Sequence, residues 1–119
     1  MQFFHFGKEV GKHIDKFDSN FVMSRIVQTE KPAHIGCMYL EEGGIIGYHQ
    51  AVVPQLLLIV SGNGFVRGES GEFIPIKAGE AVFWTMDEFH ETRTDSGLTA
   101  IVIESEELNP SSFMQEKKR

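Results

Sequence analysis

The chain has 119 residues, of which 41% are hydrophobic and 24% are charged, a balance typical of one globular domain with its own core. Its net charge of −6 argues against the basic surface that nucleic-acid-binding proteins place on phosphates. No apolar run approaches the ~20 residues of a membrane-spanning helix. We therefore expect a single domain over residues 1–119 that contacts neither nucleic acid nor membrane.

The N-terminal residues and the cysteine content predict a cytoplasmic protein. The stretch MQFFHFGKEV lacks the basic and then apolar pattern of a secretory signal. Cys37 is the only cysteine, so no intrachain disulfide can form. Its apolar surroundings, IGCMYL, are typical of a small buried side chain, and we assign it no catalytic role.

The first predicted element is a short helix near the N-terminus. Val10, Ile14 and Phe17 recur at helical spacing, although Gly7 and Gly11 weaken the pattern. From residue 21 onward, short segments rich in Val, Ile, Phe and Thr alternate with glycine or proline, which predicts strands joined by tight turns. Strands and helices do not alternate, so the pattern predicts an all-β sandwich or barrel.

The run from Leu56 to Val60 is apolar at every position, whereas a strand with one face in water should alternate. Its outer face therefore needs a cover. Either the N-terminal segment, with Phe3, Phe4 and Phe6, or a second copy of the chain would provide one. Since a symmetric dimer is the commonest way to hide such a surface, we expect a homodimer.

A second helix is predicted at the C-terminus. Asn109 can cap it, Pro110 suits the first helical position, and the basic residues Lys117, Lys118 and Arg119 close it. The sequence therefore predicts an all-β domain with short helical segments at its termini.

Gly43, His49, Gln55 and Gly62 keep the spacing of the first motif of the cupin superfamily, which contains a glycine, an H-x-H pair, a glutamate and a second glycine. Ala51 lies where the family usually has its second histidine, and Gln55 lies where it usually has glutamate. Short patterns of this kind recur by chance, so this motif alone is weak.

Gly79 and His90 keep the separation found in the second cupin motif. Thr85, Asp87 and Thr94 replace the proline, glycine and asparagine of that motif. Because both motifs occur in order in a predicted all-β chain, the sequence resembles a small single-domain cupin.

The resemblance covers about residues 35–104 and implies a cupin-type jelly-roll barrel, also called a double-stranded β-helix. In the wider family, three histidines and a glutamate typically hold a divalent metal. The resemblance therefore implies iron, manganese, zinc or nickel, with His49, His90 and Gln55 as ligands. A neutral amide offsets none of the metal's charge, and Ala51 supplies no donor, so we expect a tightly bound metal less than a metal-free polar pocket.

Strand alternation predicts a site without reference to the family. If residues 43–62 are a turn followed by one strand, His49 and Gln55 share a face, although Pro54 can interrupt it. His90 follows a loop after the apolar stretch EAVFW. One end of a small barrel can hold a single ligand, and we predict that His49, Gln55 and His90 meet there.

Three functions fit these residues. The first is a small-molecule-binding protein with His49, Gln55 and His90 in a polar pocket. The alternative is a metal-dependent dioxygenase or isomerase with His49 and His90 as metal ligands. The third is a structural dimer with an unused pocket. His34 and Glu104 are expected at the surface, although Glu104 could also reach the site.

Overall fold

The structure is a computed structural model that describes residues 1–118, and these residues contain eleven strands and three single-turn 3-10 helices. The strands are β1 Gln2–His5, β2 Lys12–Ile14, β3 Phe21–Met23, β4 Ala33–Leu40, β5 Ile45–Gln50, β6 Gln55–Arg67, β7 Ile74–Lys77, β8 Glu80–Trp84, β9 Phe89–Arg93, β10 Leu98–Ser105 and β11 Gln115–Lys117. The 3-10 helices are Lys8–Val10, Lys16–Asp18 and Pro110–Ser112. None of these helical turns is long and apolar enough to cross a bilayer. The predicted all-β class is confirmed.

Strand β6 belongs to two sheets that pack against each other. Its N-terminal half lies in the first sheet, whose strand order is β11-β1-β8-β6-β10-β4. Its C-terminal half pairs with β7 and β9 in the second sheet, and β9 also pairs with β5. Within the described residues, β4 and β11 end the first sheet, while β5 and β7 end the second. The two sheets therefore form an open sandwich, and the closed barrel that the resemblance implies is not observed.

A bulge and a glycine carry β6 from one sheet to the other. Ile59 pairs with Ala100 and Ser61 pairs with Thr99, so Val60 is an extra residue on β6. Just beyond it, Gly62 has a φ of +79°, and a Cβ there would collide with the carbonyl oxygen of Gly97. A glycine is therefore needed at this bend.

The main core lies between the two sheets. It consists of inward-facing residues from both, namely Phe3, Leu57, Ile59, Val66, Ile76, Val82, Trp84, Leu98 and Ala100. Residues of alternate parity on β6 face the other way, into a second core on the outer side of the first sheet. There, Leu56 and Leu58 are covered by Phe4, Leu108 and Met114.

This second core explains why residues 56–59 are apolar on both faces. The N-terminal segment covers the outer face as predicted, and the C-terminal residues Leu108 and Met114 complete the cover. Because the chain covers this run itself, the run no longer supports a homodimer. The dimer stays a prediction that needs another basis.

The predicted N-terminal helix is wrong. Residues 12–14 and 21–23 pair as the hairpin β2–β3, with a 3-10 turn on either side of β2. Phe17 has a φ of 58° and is 96% exposed, so it does not share a buried helical face with Val10 and Ile14. Gly11 lies so close to Val22 that a Cβ would collide with it, and this close approach supports the hairpin.

The predicted C-terminal helix is also wrong within the described residues, and Arg119 lies outside them. Asn109 makes no side-chain capping bond, and the helix stops after one 3-10 turn. The chain then forms β11, which pairs with the edge of β1. Lys117 donates a 2.7 Å hydrogen bond to the buried carboxylate of Glu80, which ties this last strand to β8. Strand pairing and a buried ion pair thus outweigh local helix signals.

Candidate functional site

His90 is buried at the start of β9, with a relative exposure of 1%. Its ring stacks on Trp84, the last residue of β8, with ring centroids 4.0 Å apart and planes 15° from parallel. Trp84 is completely buried. The turn of residues 85–88 therefore brings two aromatic rings from neighbouring segments into contact inside the sandwich.

The turn between these two residues is held by hydrogen bonds. The Glu88 carboxylate accepts bonds from the Thr85 backbone N–H and hydroxyl, at 2.8 and 2.9 Å. The Ala51 backbone N–H donates to the Glu88 carbonyl, and the Asp87 N–H donates to the Ala51 carbonyl. These bonds connect the end of β5 to the turn before His90.

His49 lies directly opposite His90 in the pairing of β5 with β9. Their ring centroids are 4.4 Å apart in an edge-to-face arrangement, but the His49 side chain is exposed. His49 Nδ1 lies 2.7 Å from the carbonyl oxygen of Gly47. Because a carbonyl oxygen only accepts, Nδ1 carries the proton, and Nε2 is left as an acceptor that faces no protein donor in the described residues.

Gln55 reaches the same end of the sandwich from the other sheet. It begins β6, is 8% exposed, and pairs with Trp84 on one side and Glu104 on the other. Directly opposite residues share a face, so these three side chains lie on the core side of the first sheet, together with Leu57. His34 pairs with Glu104 and shares that face.

The prediction that one strand carries both His49 and Gln55 is wrong. Strand β5 ends at Gln50 and β6 begins at Gln55, with Ala51 and Pro54 outside both. The two residues lie in different sheets and approach the interior from opposite sides. The packing of the two sheets, not strand parity, brings them to the same end.

We call this end of the interior the polar end, made of His49 at its rim and of Gln55, Trp84, His90 and Glu104. Glu104, expected first at the surface, is half-buried on the inner face of β10. His34 lies on the same face of β4 but is exposed, as the sequence predicted.

Cys37 and Tyr48 do not reach the polar end. Cys37 is exposed, so the prediction of a buried side chain is wrong, and it lies on the opposite face of β4 from His34. Tyr48 stacks on Phe89 at 5.4 Å and lies under the Arg67 guanidinium at 4.2 Å, on the outer surface of the second sheet.

Glu91 also supports β9 from that outer surface. Its carboxylate accepts 2.7 Å hydrogen bonds from Arg67 and Arg93, and Glu91 is only 4% exposed. Hydrogen bonds from Arg93 and Arg67 lower the pKa of Glu91. Glu91 is therefore a buried ion-pair partner of two arginines and not a solvated surface residue.

Burial and the neighbouring His49 imidazole lower the pKa of His90 to about 4, although Glu88 opposes the shift. His90 is therefore neutral at neutral pH. Within residues 1–118, neither of its ring nitrogens has a partner with good hydrogen-bond geometry, although the Glu88 backbone lies near enough to oppose the fall in the pKa of His90, and Trp84 Nε1 has no partner either. Leaving a buried polar atom without a partner costs roughly 1–3 kcal/mol, so three such atoms side by side require an explanation.

The donors at the polar end do not fit a resident metal ion. Among the described residues, no group of three or more His, Cys, Asp and Glu side chains is placed to hold one. His49 and His90 supply two imidazoles, Gln55 supplies a neutral amide, and Ala51 supplies no side-chain donor. The Glu104 carboxylate is not placed to join the two imidazoles around one ion. A metal site of the kind that the resemblance implies would need at least one more ligand.

Two surface clefts of the described chain lie away from the polar end. A cleft of about 550 Å³ beside the β2–β3 hairpin is lined by His13 and Asn20, and one of about 470 Å³ between β7 and β11 is lined by Phe73 and Lys117. His49, Gln55 and His90 line neither cleft. At the polar end, the rings of Trp84 and His90 are stacked and buried.

No protein-family model matches the sequence, and no curated protein matches it. Solved structures do resemble the fold. A cupin superfamily protein from Desulfitobacterium hafniense matches with a TM-score of 0.59 and 12% identity, over 67% of this chain and 72% of that one. A predicted oxalate decarboxylase from Thermotoga maritima matches with a TM-score of 0.55 and 24% identity, over 60% of this chain and 64% of that one.

A cupin protein from Bacteroides fragilis matches with a TM-score of 0.57 and 23% identity, over 61% of this chain and 64% of that one. Identities this low carry the fold and not the chemistry, because cupin-like folds host many functions. Two sheets that share a long central strand, together with these neighbours, give this chain the fold of a small cupin-domain protein.

Proposed function

We propose that the chain is a small-molecule-binding protein whose ligand occupies the polar end, with Gln55, His90 and Trp84 as its direct contacts and His49 at the rim. One observation carries this proposal. Trp84 Nε1 and both ring nitrogens of His90 are buried without a hydrogen-bond partner in the described chain. A bound polar ligand would supply those partners.

The chemistry of these groups limits the ligand. Trp84 Nε1 only donates, while a neutral His90 ring offers one donor and one acceptor. The Gln55 amide adds both kinds of group. Because none of these carries a charge at neutral pH, we infer a small polar ligand that both donates and accepts hydrogen bonds, such as a polyol or an amide.

Access to His90 runs past His49. The His49 ring lies edge-on to the His90 ring, and His49 is exposed while His90 is not. Rotation of an exposed side chain is fast and inexpensive compared with opening a core. A ligand would therefore reach His90 and Trp84 when the His49 side chain turns away.

Trp84 provides the test, because it is the only tryptophan in the chain. Its indole N–H gives a single NMR resonance that can be followed while sugars, carboxylic acids and amides are added in turn. We expect at least one of these classes to shift the resonance with saturation. In Gln55→Leu the shift should weaken, whereas the same change at the exposed Gln115 should leave it intact.

Two results would contradict the proposal. The first is an indole resonance that none of these compounds moves. The second is a shift that is equally strong in Gln55→Leu and in the wild-type chain, because binding would then occur elsewhere.

The alternative function, a metal-dependent dioxygenase or isomerase, is favoured by one contact. His49 and His90 lie side by side, and Nε2 of His49 is free to act as a ligand. Elemental analysis of untagged protein tests it, with the His49→Ala, His90→Ala double variant as control. About one transition metal per chain, lost in the variant, would support the enzyme; metal no higher than in the variant would count against it.

A further inference from the structure

Strand β4 is an unprotected edge. It pairs with β10 on one side, and no strand among residues 1–118 pairs with its other side. Its eight residues, AHIGCMYL, include no lysine, arginine, aspartate, glutamate or proline. Proteins commonly use such residues, or bulges, to stop an edge strand from pairing with another chain. β4 has none of these protections, and its pairing with β10 has no bulge.

The outer face of β4 is also apolar and uncovered. Ile35 is 68% exposed and Tyr39 is 74% exposed, with the exposed Cys37 between them. The cover over the outer face of the first sheet, which includes Leu108 and Met114, packs on β6, on β8 and on Ile103 of β10. It does not reach the far edge of the sheet, so β4 presents both free backbone groups and apolar side chains.

We propose that two copies of the chain pair through their β4 strands, antiparallel and related by a two-fold axis. Such pairing gives the free backbone groups of β4 a partner and buries Ile35 and Tyr39 of both copies. It is self-complementary, as an interface between identical chains must be. The protein carries a net charge of −6, so two copies repel over most of their surfaces, whereas β4 contains no lysine, arginine, aspartate or glutamate.

The charges at the two ends of β4 favour the antiparallel direction. Lys31 precedes the strand and Glu41 follows it. Antiparallel pairing places the start of one strand beside the end of the other, so Lys31 of each copy lies near Glu41 of the second copy. Glu30 and Glu42 lie one residue further from the centre, beyond the paired segment.

The symmetry also limits the register. A two-fold axis perpendicular to the sheet keeps the outer faces of both copies on one side, so residues directly opposite each other have the same parity. Pairing over the whole of β4 then places either Gly36 or Cys37 opposite itself. The two Cys37 Cα atoms would be about 4.5–5.5 Å apart in one register and about 7–8 Å in the other. A disulfide between the two Cys37 residues fits the register with Cys37 opposite itself, whereas the longer distance exceeds what a disulfide spans.

Strand β5, the edge of the second sheet on the same side of the sandwich, is the competing surface. It is shorter than β4, and a register shift between Ile46 and His49 interrupts its ladder. Bulges of this kind make an edge strand less able to pair with a strand of another chain. Ile45 on β5 is 57% exposed, close to the 68% of Ile35 on β4, so the same substitution at both positions gives a matched pair.

Light scattering on the full chain tests the proposal. We expect the wild-type chain to have twice its monomer mass of 13.4 kDa. Ile35→Lys should be monomeric, while Ile45→Lys should stay dimeric, and both should keep the wild-type circular dichroism spectrum. In the register with Cys37 opposite itself, mild oxidation with copper phenanthroline should join wild-type and Ile45→Lys chains through Cys37. It should not join Ile35→Lys chains, and Cys37→Ser gives the background.

A monomeric wild-type chain would overturn the proposal, as would a dimer that survives Ile35→Lys. Loss of the dimer in Ile45→Lys alone would assign the interface to β5 instead. The interface is measured without any ligand, so its failure and the failure of the binding function are separate results.

Discussion

The two ends of the space between the sheets are built from the same strands but differ in how their atoms are satisfied. At the apolar end, Ile59, Val66 and Leu98 are buried and need only close packing. At the polar end, Gln55 and His90 are equally out of water, and both His90 nitrogens lack partners in the described chain. The comparison suggests that the apolar end stabilises the fold, while the polar end holds chemical groups that folding does not use.

The largest expected effect is at the apolar end. Ile59→Ala removes a fully buried side chain from the main core and should lower the free energy of unfolding by about 2–5 kcal/mol, measured by urea denaturation. The neighbouring Val60 is 46% exposed, so Val60→Ala should cost less than about 1 kcal/mol. Equal losses in the two variants would contradict the packing described for β6.

The second-largest expected effect is a pH dependence of stability, which arises at the polar end because His90 titrates and the apolar residues do not. The pKa of His90 is about 4 in the folded chain and about 6.5 in the unfolded chain, so the unfolded chain takes up the proton first as the pH falls. The stability that neutral His90 contributes is complete above about pH 6.5 and is lost as the pH falls towards about 4, by roughly 3 kcal/mol in all.

The midpoint of urea unfolding, followed from about pH 7 to pH 5, measures this loss. At these pH values most carboxylates stay ionised, so their titration contributes little. His90→Phe keeps a ring against Trp84 but does not titrate, so its midpoint should change less over this range. A slope as steep as that of the wild-type chain would show that another group causes it.

A smaller effect is expected for Gln55→Leu. The described chain provides no hydrogen-bond partner for the Gln55 side chain, so an apolar residue of similar volume should change the free energy of unfolding by less than about 1 kcal/mol. Urea denaturation checks this, with Gln115→Leu as the exposed control. A loss of several kcal/mol would show that the amide holds the two sheets together, which is a structural role.

The smallest effect on stability is expected for His49→Ala, because His49 is exposed and makes one hydrogen bond to the nearby Gly47 carbonyl. We expect a loss below about 1 kcal/mol. The same variant should raise the pKa of His90, since the His49 imidazole helps to lower it. An NMR titration of the His90 ring measures the shift, and an unchanged pKa would mean that burial alone lowers it.

Local patterns predicted part of the candidate site. The glycine and histidine spacings pointed to His49, Gln55 and His90, whose role in binding stays a prediction; the structure places His49 opposite His90 and Gln55 opposite Trp84. The assignment of His49 and Gln55 to one strand was wrong, because they lie in different sheets. Glu104, expected first at the surface, lies on the inner face because it pairs with strands distant in sequence.

The sequence by itself determined the all-β class, the turns and the residue types at the polar end, because strand propensity, glycine placement and side-chain chemistry are local properties. Only the tertiary structure decided that both termini form strands instead of helices, since the pairing of β11 with β1 and of β2 with β3 outweighs local helix signals. It also decided that His90 is buried against Trp84 and that β4 has a free edge. Burial and edge exposure depend on which strands become neighbours, and no local pattern contains that information.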